Sequence, residues 1–174
     1  MNWEAAGAVG EIVGAFAVVL TLIYLAIQIR HSIKATKALV RESVTNSMVQ
    51  DIRATYQDKD LLSAYVKLQN GESLSNTEEY CVRQESAAWL RTYENMHYQY
   101  RKGFLDEEEW QGHLHILKLV FQPNPGPGEA KGITDRFDSW PGVYSSEFQE
   151  LIGAIRAEHE FNRRPQASHN QADA

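Results

Sequence analysis

Apolar positions divide the chain into one unbroken run and a series of striped segments. Val9 to Ile29 reads VGEIVGAFAVVLTLIYLAIQI. Between Ile12 and Ile27 no residue is charged, and only Thr21 and Tyr24 carry hydroxyls. A nineteen-residue window here averages about +2 on a transfer-type hydropathy scale, in the range of membrane spans. A helix crosses the hydrocarbon core with about twenty residues at ~1.5 Å each. Ala5 to Ile29 supplies that length if Glu11 lies near one surface. A cleaved signal peptide wants a basic leader, whereas MNWEAAGAVGE is acidic. An interfacial helix wants a polar face, which Ile12 to Ile27 lacks. A buried helix of a soluble domain is the second alternative, because Glu11 and three glycines dilute the start of the run. The pattern favours a membrane anchor.

Beyond Ile29 the period changes. Val40, Val44, Met48, Ile52 and Tyr56 recur at every fourth position, which predicts a helix over Arg30 to Tyr56 able to run on from the span. Asp58 to Asp60 breaks that stripe. A short helix follows over Leu61 to Leu68, stopped by Asn70 and Gly71. Ser75 and Glu78 have capping-box spacing and open a long helix, about Asn76 to Lys102. Its stripe runs Ala87, Leu90, Tyr93, His97, Tyr100 and Phe104, broadened by Trp89 and Met96, and predicts the centre of the folded core. Asp106 and Glu109 repeat the capping-box spacing before a helix over Glu107 to Phe121, with Trp110, Leu114, Leu117 and Phe121 inward. So short a connection predicts an antiparallel pair. Gln122 to Gly132, QPNPGPGEAKG, reads as a loop. Ile133 to Trp140 reads as one or two helical turns, closed by Pro141 and Gly142. Ser146 and Gln149 then cap a helix over Glu147 to Glu158 that buries Phe148, Ile152 and Ile155.

No segment alternates as a strand does. The expected fold is therefore all-α, a single N-terminal transmembrane helix followed by a small cytoplasmic helical bundle. The expected parts are an anchor over 1–29, a helical domain over 30–160 and a disordered polar tail over 161–174.

Charge sets the orientation. Arg30, His31, Lys34, Lys37 and Arg41 follow the run, while only Glu4 and Glu11 precede its uninterrupted core. Lys and Arg stay on the cytoplasmic side, so the N-terminus is expected outside and the C-terminal domain in the cytoplasm. The net charge of −6 and the lack of a basic stripe point away from nucleic acid. A single cysteine, Cys81, excludes an intramolecular disulfide framework and suits a reducing compartment.

Candidate chemistry is sparse. Gly10 and Gly14 form a small-xxx-small pair that lets two spans approach closely, and Glu11 beside them is an ionisable residue within the run. Expected partners are thus the lipid bilayer and either a second copy of the chain or another membrane protein. Glu94 and His97 make one E-x-x-H step, with Glu85 on the same helix and His113 on the next. Di-iron bundles need two such steps, and the second is missing, so no metal or other cofactor is expected. On an apolar stripe, His97 reads first as a hydrogen-bonded core histidine. Cys81 and His97 lie about 24 Å apart in helical rise. No nucleophile elbow, phosphate loop or zincin motif occurs, and no residue set supports an enzyme. Tyr93, Tyr98, Arg101 and Trp110 read either as a polar edge of the core or as a docking surface, since Tyr, Trp and Arg are favoured at interface hot spots.

Three stretches carry a likeness. NWEAAGAVGEIVGAFAVVLTLIYLAIQIR at the start, YENMHYQYRKGFLDEEEW from Tyr93 to Trp110, and YSSEFQELI near the end resemble a family of small bacterial membrane-anchored proteins to which no activity is assigned. The resemblance implies one N-terminal span, a helical domain and a place in the bacterial cytoplasmic membrane. It marks Glu94, Tyr98, Tyr100, Arg101, Asp106 and Trp110 as signature positions and gives them no chemistry. Two functional readings follow. One is a membrane-anchored binding or scaffolding protein, acting by self-association or by docking to a membrane protein. The other is a small-molecule or metal-binding helical domain using Glu94 and His97.

Overall fold

A computed structural model describes residues 3–124 and 128–163. The described residues are all-helical, with no strand. The helices are α1 (Trp3–Gln57), α2 (Lys59–Gln69), α3 (Asn76–Arg101), α4 (Glu107–Val120), α5 (Glu129–Ser139) and α6 (Ser146–Arg163), with a 3-10 turn at Pro141–Val143 before α6. The chain divides into two units, 1–41 and 42–174.

In the first unit the apolar run and the basic segment after it are one uninterrupted helix. The described residues include one helix, α1, that is long and apolar enough to cross a membrane, with a window of mean hydropathy 2.5 of which 0% is buried. The Thr21 hydroxyl donates to the Ala17 carbonyl at 2.8 Å, so the helix itself satisfies this polar group.

The second unit begins with the last turns of α1. On the expected stripe Val44 is buried and Met48 half-buried, but Ile52 and Tyr56 stand 54% and 70% exposed. The face is covered at one end only. Asp58 ends α1 and starts α2, its carboxylate accepting from the Asp60 and Leu61 amides at 2.9 and 3.1 Å. This is the physical content of the break in the pattern. The Ser75–Glu78 capping box forms as expected, with both reciprocal bonds present. Gly103, at φ +75, provides the left-handed turn that ends α3.

α3 is the central element. It packs on α2, α4 and α5, and α4 in turn packs on α5 and α6. Val82, Ser86, Leu90, Tyr93 and Met96 are its buried face. Trp110 stacks on His97 and Tyr100, and His113 meets Tyr93 edge-on, so α3 and α4 run antiparallel. Phe137 of α5 sits among Phe121, Tyr144 and Phe148, with ring centroids 5.4, 5.4 and 6.3 Å away. Each such pair adds about 0.5–1.5 kcal/mol beyond area burial. A smaller cluster joins Leu61, Ala64 and Tyr65 of α2 to Val82.

Five expectations are corrected. The loop expected over Gln122 to Gly132 ends earlier, because α5 begins at Glu129; its residues 125–127 lie outside the described residues. Gly132 is helical because α5 lies so close to α3 there that a Cβ would stand 3.0 Å from Val82 Cγ1. What reads as a loop glycine is a packing glycine. The first cap of α6 is Ser145 rather than Ser146: its hydroxyl accepts from the Phe148 amide at 3.4 Å and its carbonyl from the Gln149 amide at 3.0 Å. The same helix passes Glu158 and ends at Arg163, held to α4 by Lys118–Glu158 and by His159 Nε2 donating to the Lys118 carbonyl at 2.9 Å. Asp106 occupies the N-cap position of α4 but forms no side-chain capping bond. Of the polar tail expected over 161–174, residues 161–163 are the last turn of α6, and the rest lies outside the described residues.

Candidate functional site

Helical spacing puts Glu94, His97, Tyr98 and Arg101 on one side of α3, over the start of α6. Together with Ser145 and Glu147 they line a cleft of about 290 Å³. Glu94 is the hinge of its bonding. Its Oε1 accepts from the Ser145 amide at 2.6 Å, and its Oε2 takes Arg91 Nη1 at 2.6 Å. Arg101 Nη1 pairs with Glu147 Oε1 at 3.0 Å across the cleft. His97 lies half-buried between the indole of Trp110 and the ring of Phe148, at 5.4 and 6.2 Å. Burial and then the Arg101 charge lower its pKa, against a weaker pull from Glu147. The imidazole is therefore neutral at physiological pH.

The remaining candidates lie elsewhere. Tyr93 and Trp110 are 2% and 3% exposed and belong to the packed interior. Tyr98 is open to solvent, with the Lys102 ammonium 5.6 Å from its ring centre. His113 is half-buried, and burial lowers its pKa. Glu85 lines a different cavity, beside Asp51 and Glu129. Glu85, Glu94, His97 and His113 therefore do not gather into one site. Among the described residues no group of three or more His, Cys, Asp or Glu side chains is placed to hold a metal ion. In the first unit Gly10, Glu11 and Gly14 are exposed. A Cβ added at either glycine would meet nothing within 4 Å, so that face is open.

Two residues of the cleft, Ser145 and Glu147, had no signal in the sequence. They stand some fifty positions from Glu94, and the packing of α6 brings Ser145 to Glu94 and Glu147 to Arg101. The Arg91–Glu94 pair, spaced i,i+3, was legible. Chemically, the cleft is a set of matched charges with a neutral histidine beneath. It locks two helices and leaves Tyr98, Arg101 and Lys102 facing outward. Comparison with protein-family models, curated proteins and solved structures finds no match to this chain.

Proposed function

We propose that this chain is a membrane-anchored helical scaffolding or binding protein that self-associates or docks on another membrane protein. The observation that carries the reading is the bare apolar helix. From Gly7 to Thr36 every residue is exposed, including Ile12, Val13, Phe16, Val18, Val19, Leu20, Leu22, Ile23, Leu25 and Ile27. Covering ten such side chains is worth about 15–30 kcal/mol at 1.5–3 kcal/mol each. Among the described residues nothing buries the apolar window, and a lipid bilayer would supply that cover. The basic residues from Arg30 to Arg41 support a cytoplasmic second unit. The likeness to bacterial anchored proteins supports the bacterial inner membrane. The open Gly10–Gly14 face supports contact between spans. The alternative, a small-molecule or metal site on Glu94 and His97, draws no support from a cleft whose carboxylates are engaged by Arg91, Ser145 and Arg101.

The test is crosslinking in native membranes followed by mass spectrometry, with Gly10→Ile/Gly14→Ile as the comparison. Specific links to a second copy or to another membrane protein are expected, and links through the span should vanish in the double variant. A folded, abundant protein that links to nothing and is monomeric in detergent at every concentration would overturn the reading.

A further inference from the structure

Four cations form a row on α1 directly after the apolar run. Arg30, Lys34, Lys37 and Arg41 are spaced four, three and four positions apart. The helix is unbroken over this stretch. At 3.6 residues per turn the four fall within an arc of about 60°. Arg30, Lys34 and Arg41 are exposed and Lys37 is half-buried. All four belong to the 1–41 unit. The whole-chain charge of −6 conceals this row. Residues 12–41 hold these four Lys and Arg and no Asp or Glu, whereas 42–174 hold thirteen Lys and Arg against twenty-one Asp and Glu.

Helical neighbours do not neutralise Arg30 or Lys34. The positions three and four residues from each hold no carboxylate. They hold cations instead, at Arg30–Lys34 and Lys34–Lys37, and like charges so spaced cost the helix stability. Exposed cations of the second unit are placed otherwise. Arg83 pairs with Glu79, Arg91 with Glu94 and Lys131 with Asp135, each one turn away. An anion brought to the row relieves its repulsion.

Depth decides which anion. With Ile29 at the end of the apolar run, Arg30 stands about 1.5 Å and Lys34 about 7.5 Å farther along the axis, inside a headgroup layer about 5–8 Å thick. Lys37 and Arg41 follow at about 12 and 18 Å. Side chains on a helix lean toward its N-terminus, and the apolar run lies at the N-terminal end of α1. The long Lys and Arg stems therefore reach back toward the bilayer. A lipid phosphate lies at that depth, whereas a soluble polyanion would have to displace headgroups to meet Arg30 and Lys34. We infer that this row is a binding surface for the headgroups of anionic phospholipids, an inference that rests on the anchored reading above. Each cation near an anionic membrane surface is worth about fivefold in binding.

The test is native mass spectrometry of the full chain in detergent with equal amounts of dioleoyl phosphatidylglycerol and dioleoyl phosphatidylcholine. The unsubstituted chain should retain the anionic lipid at least about fivefold over the zwitterionic one. Arg30→Gln/Lys34→Gln should lower that ratio at least about fivefold. Arg30→Lys/Lys34→Arg keeps both charges and should preserve it. Arg53→Gln/Lys59→Gln removes two exposed cations from the second unit and should preserve it too. Flotation with pure dioleoyl phosphatidylcholine vesicles reads the anchor separately. A chain that fails to float overturns the anchor and the inference with it. A chain that floats yet retains both lipids equally overturns the inference alone, as does an unchanged ratio in Arg30→Gln/Lys34→Gln. Loss of self-association in that variant at an unchanged lipid ratio would instead assign the row to the acidic 42–174 unit of a second copy, and also overturns it.

Discussion

Glu94 reaches from the middle of α3 to Ser145, its Oε1 accepting the backbone N–H at 2.6 Å just where the chain enters α6. The carboxylate side chain is only 15% exposed, and its other oxygen holds Arg91. Glu94→Ala leaves the Ser145 amide without its acceptor, at about 1.5–3 kcal/mol for a bond to a charged group. Thermal unfolding should shift down by several degrees. Glu94→Gln keeps a carbonyl for Ser145 and should lose less than half as much. Equal losses in the two variants would show that charge rather than the amide bond matters.

That bond also shows where sequence reading runs out. Caps and stripes are local, so Ser75–Glu78, Leu90, Leu117, Phe148 and the antiparallel α3–α4 pair were legible. Each depends on residues a few positions apart. The Glu94–Ser145 bond and the Asp51–Thr92 bond join distant segments and depend on packing that no local period encodes. Gly132 misled for the same reason. Its lack of a side chain serves a helix contact, while glycine beside prolines signals a loop. Glu85 looked like a companion of Glu94 on one helix, yet the two line different cavities.

Glu78 should reveal itself in acid. Its hydrogen bond from Lys67 at 2.6 Å, then its bonds with Ser75, pull its pKa from 4.5 down to about 2. A depressed folded-state pKa means stability that is fully present above pH 4.5 and is lost as pH falls toward 2. Glu78→Gln should flatten the unfolding profile within that window. An unchanged slope there would mean that Glu78 titrates normally.

Gly132 faces Val82 Cγ1 and Ser86 Oγ, at 3.0 and 3.3 Å from an added Cβ. Gly132→Ala forces those neighbours to give by a few tenths of an ångström, against the gain in helix propensity of about 1 kcal/mol. Gly132→Val cannot be accommodated so and should cost about 1–3 kcal/mol by overpacking. Gly112→Val on α4, where a Cβ meets nothing within 4 Å, is the matched control. Urea unfolding should rank Gly132→Val lowest of the three.

Asp51, Glu85 and Glu129 give the opposite pH sign from Glu78. Their folded-state pKa values are raised. Such groups favour the fold while protonated, and that contribution is lost as pH rises above the ordinary carboxyl range through the raised values. Glu85→Gln should therefore raise the melting temperature near pH 7 and change it little near pH 4. A lower melting temperature near pH 7 would mean that ionised Glu85 stabilises the unit.

Val19 lies midway along the apolar run and is 53% exposed. In a spanning helix it stands about 15 Å from either end of Val9–Ile29, too far for an arginine head to snorkel easily to the headgroups. Val19→Arg should then cost about 3 kcal/mol of insertion, near a hundredfold in the membrane-to-water ratio. Tyr56→Arg, at the solvent-facing end of α1, should cost nothing measurable. Alkaline carbonate extraction reads the difference. The unsubstituted chain and Tyr56→Arg should stay with the membrane pellet, and Val19→Arg should move in part to the supernatant. If all three appear in the supernatant as a defined oligomer, the apolar helix is covered by copies of itself in water, and the anchor gives way to a helical core shared between chains.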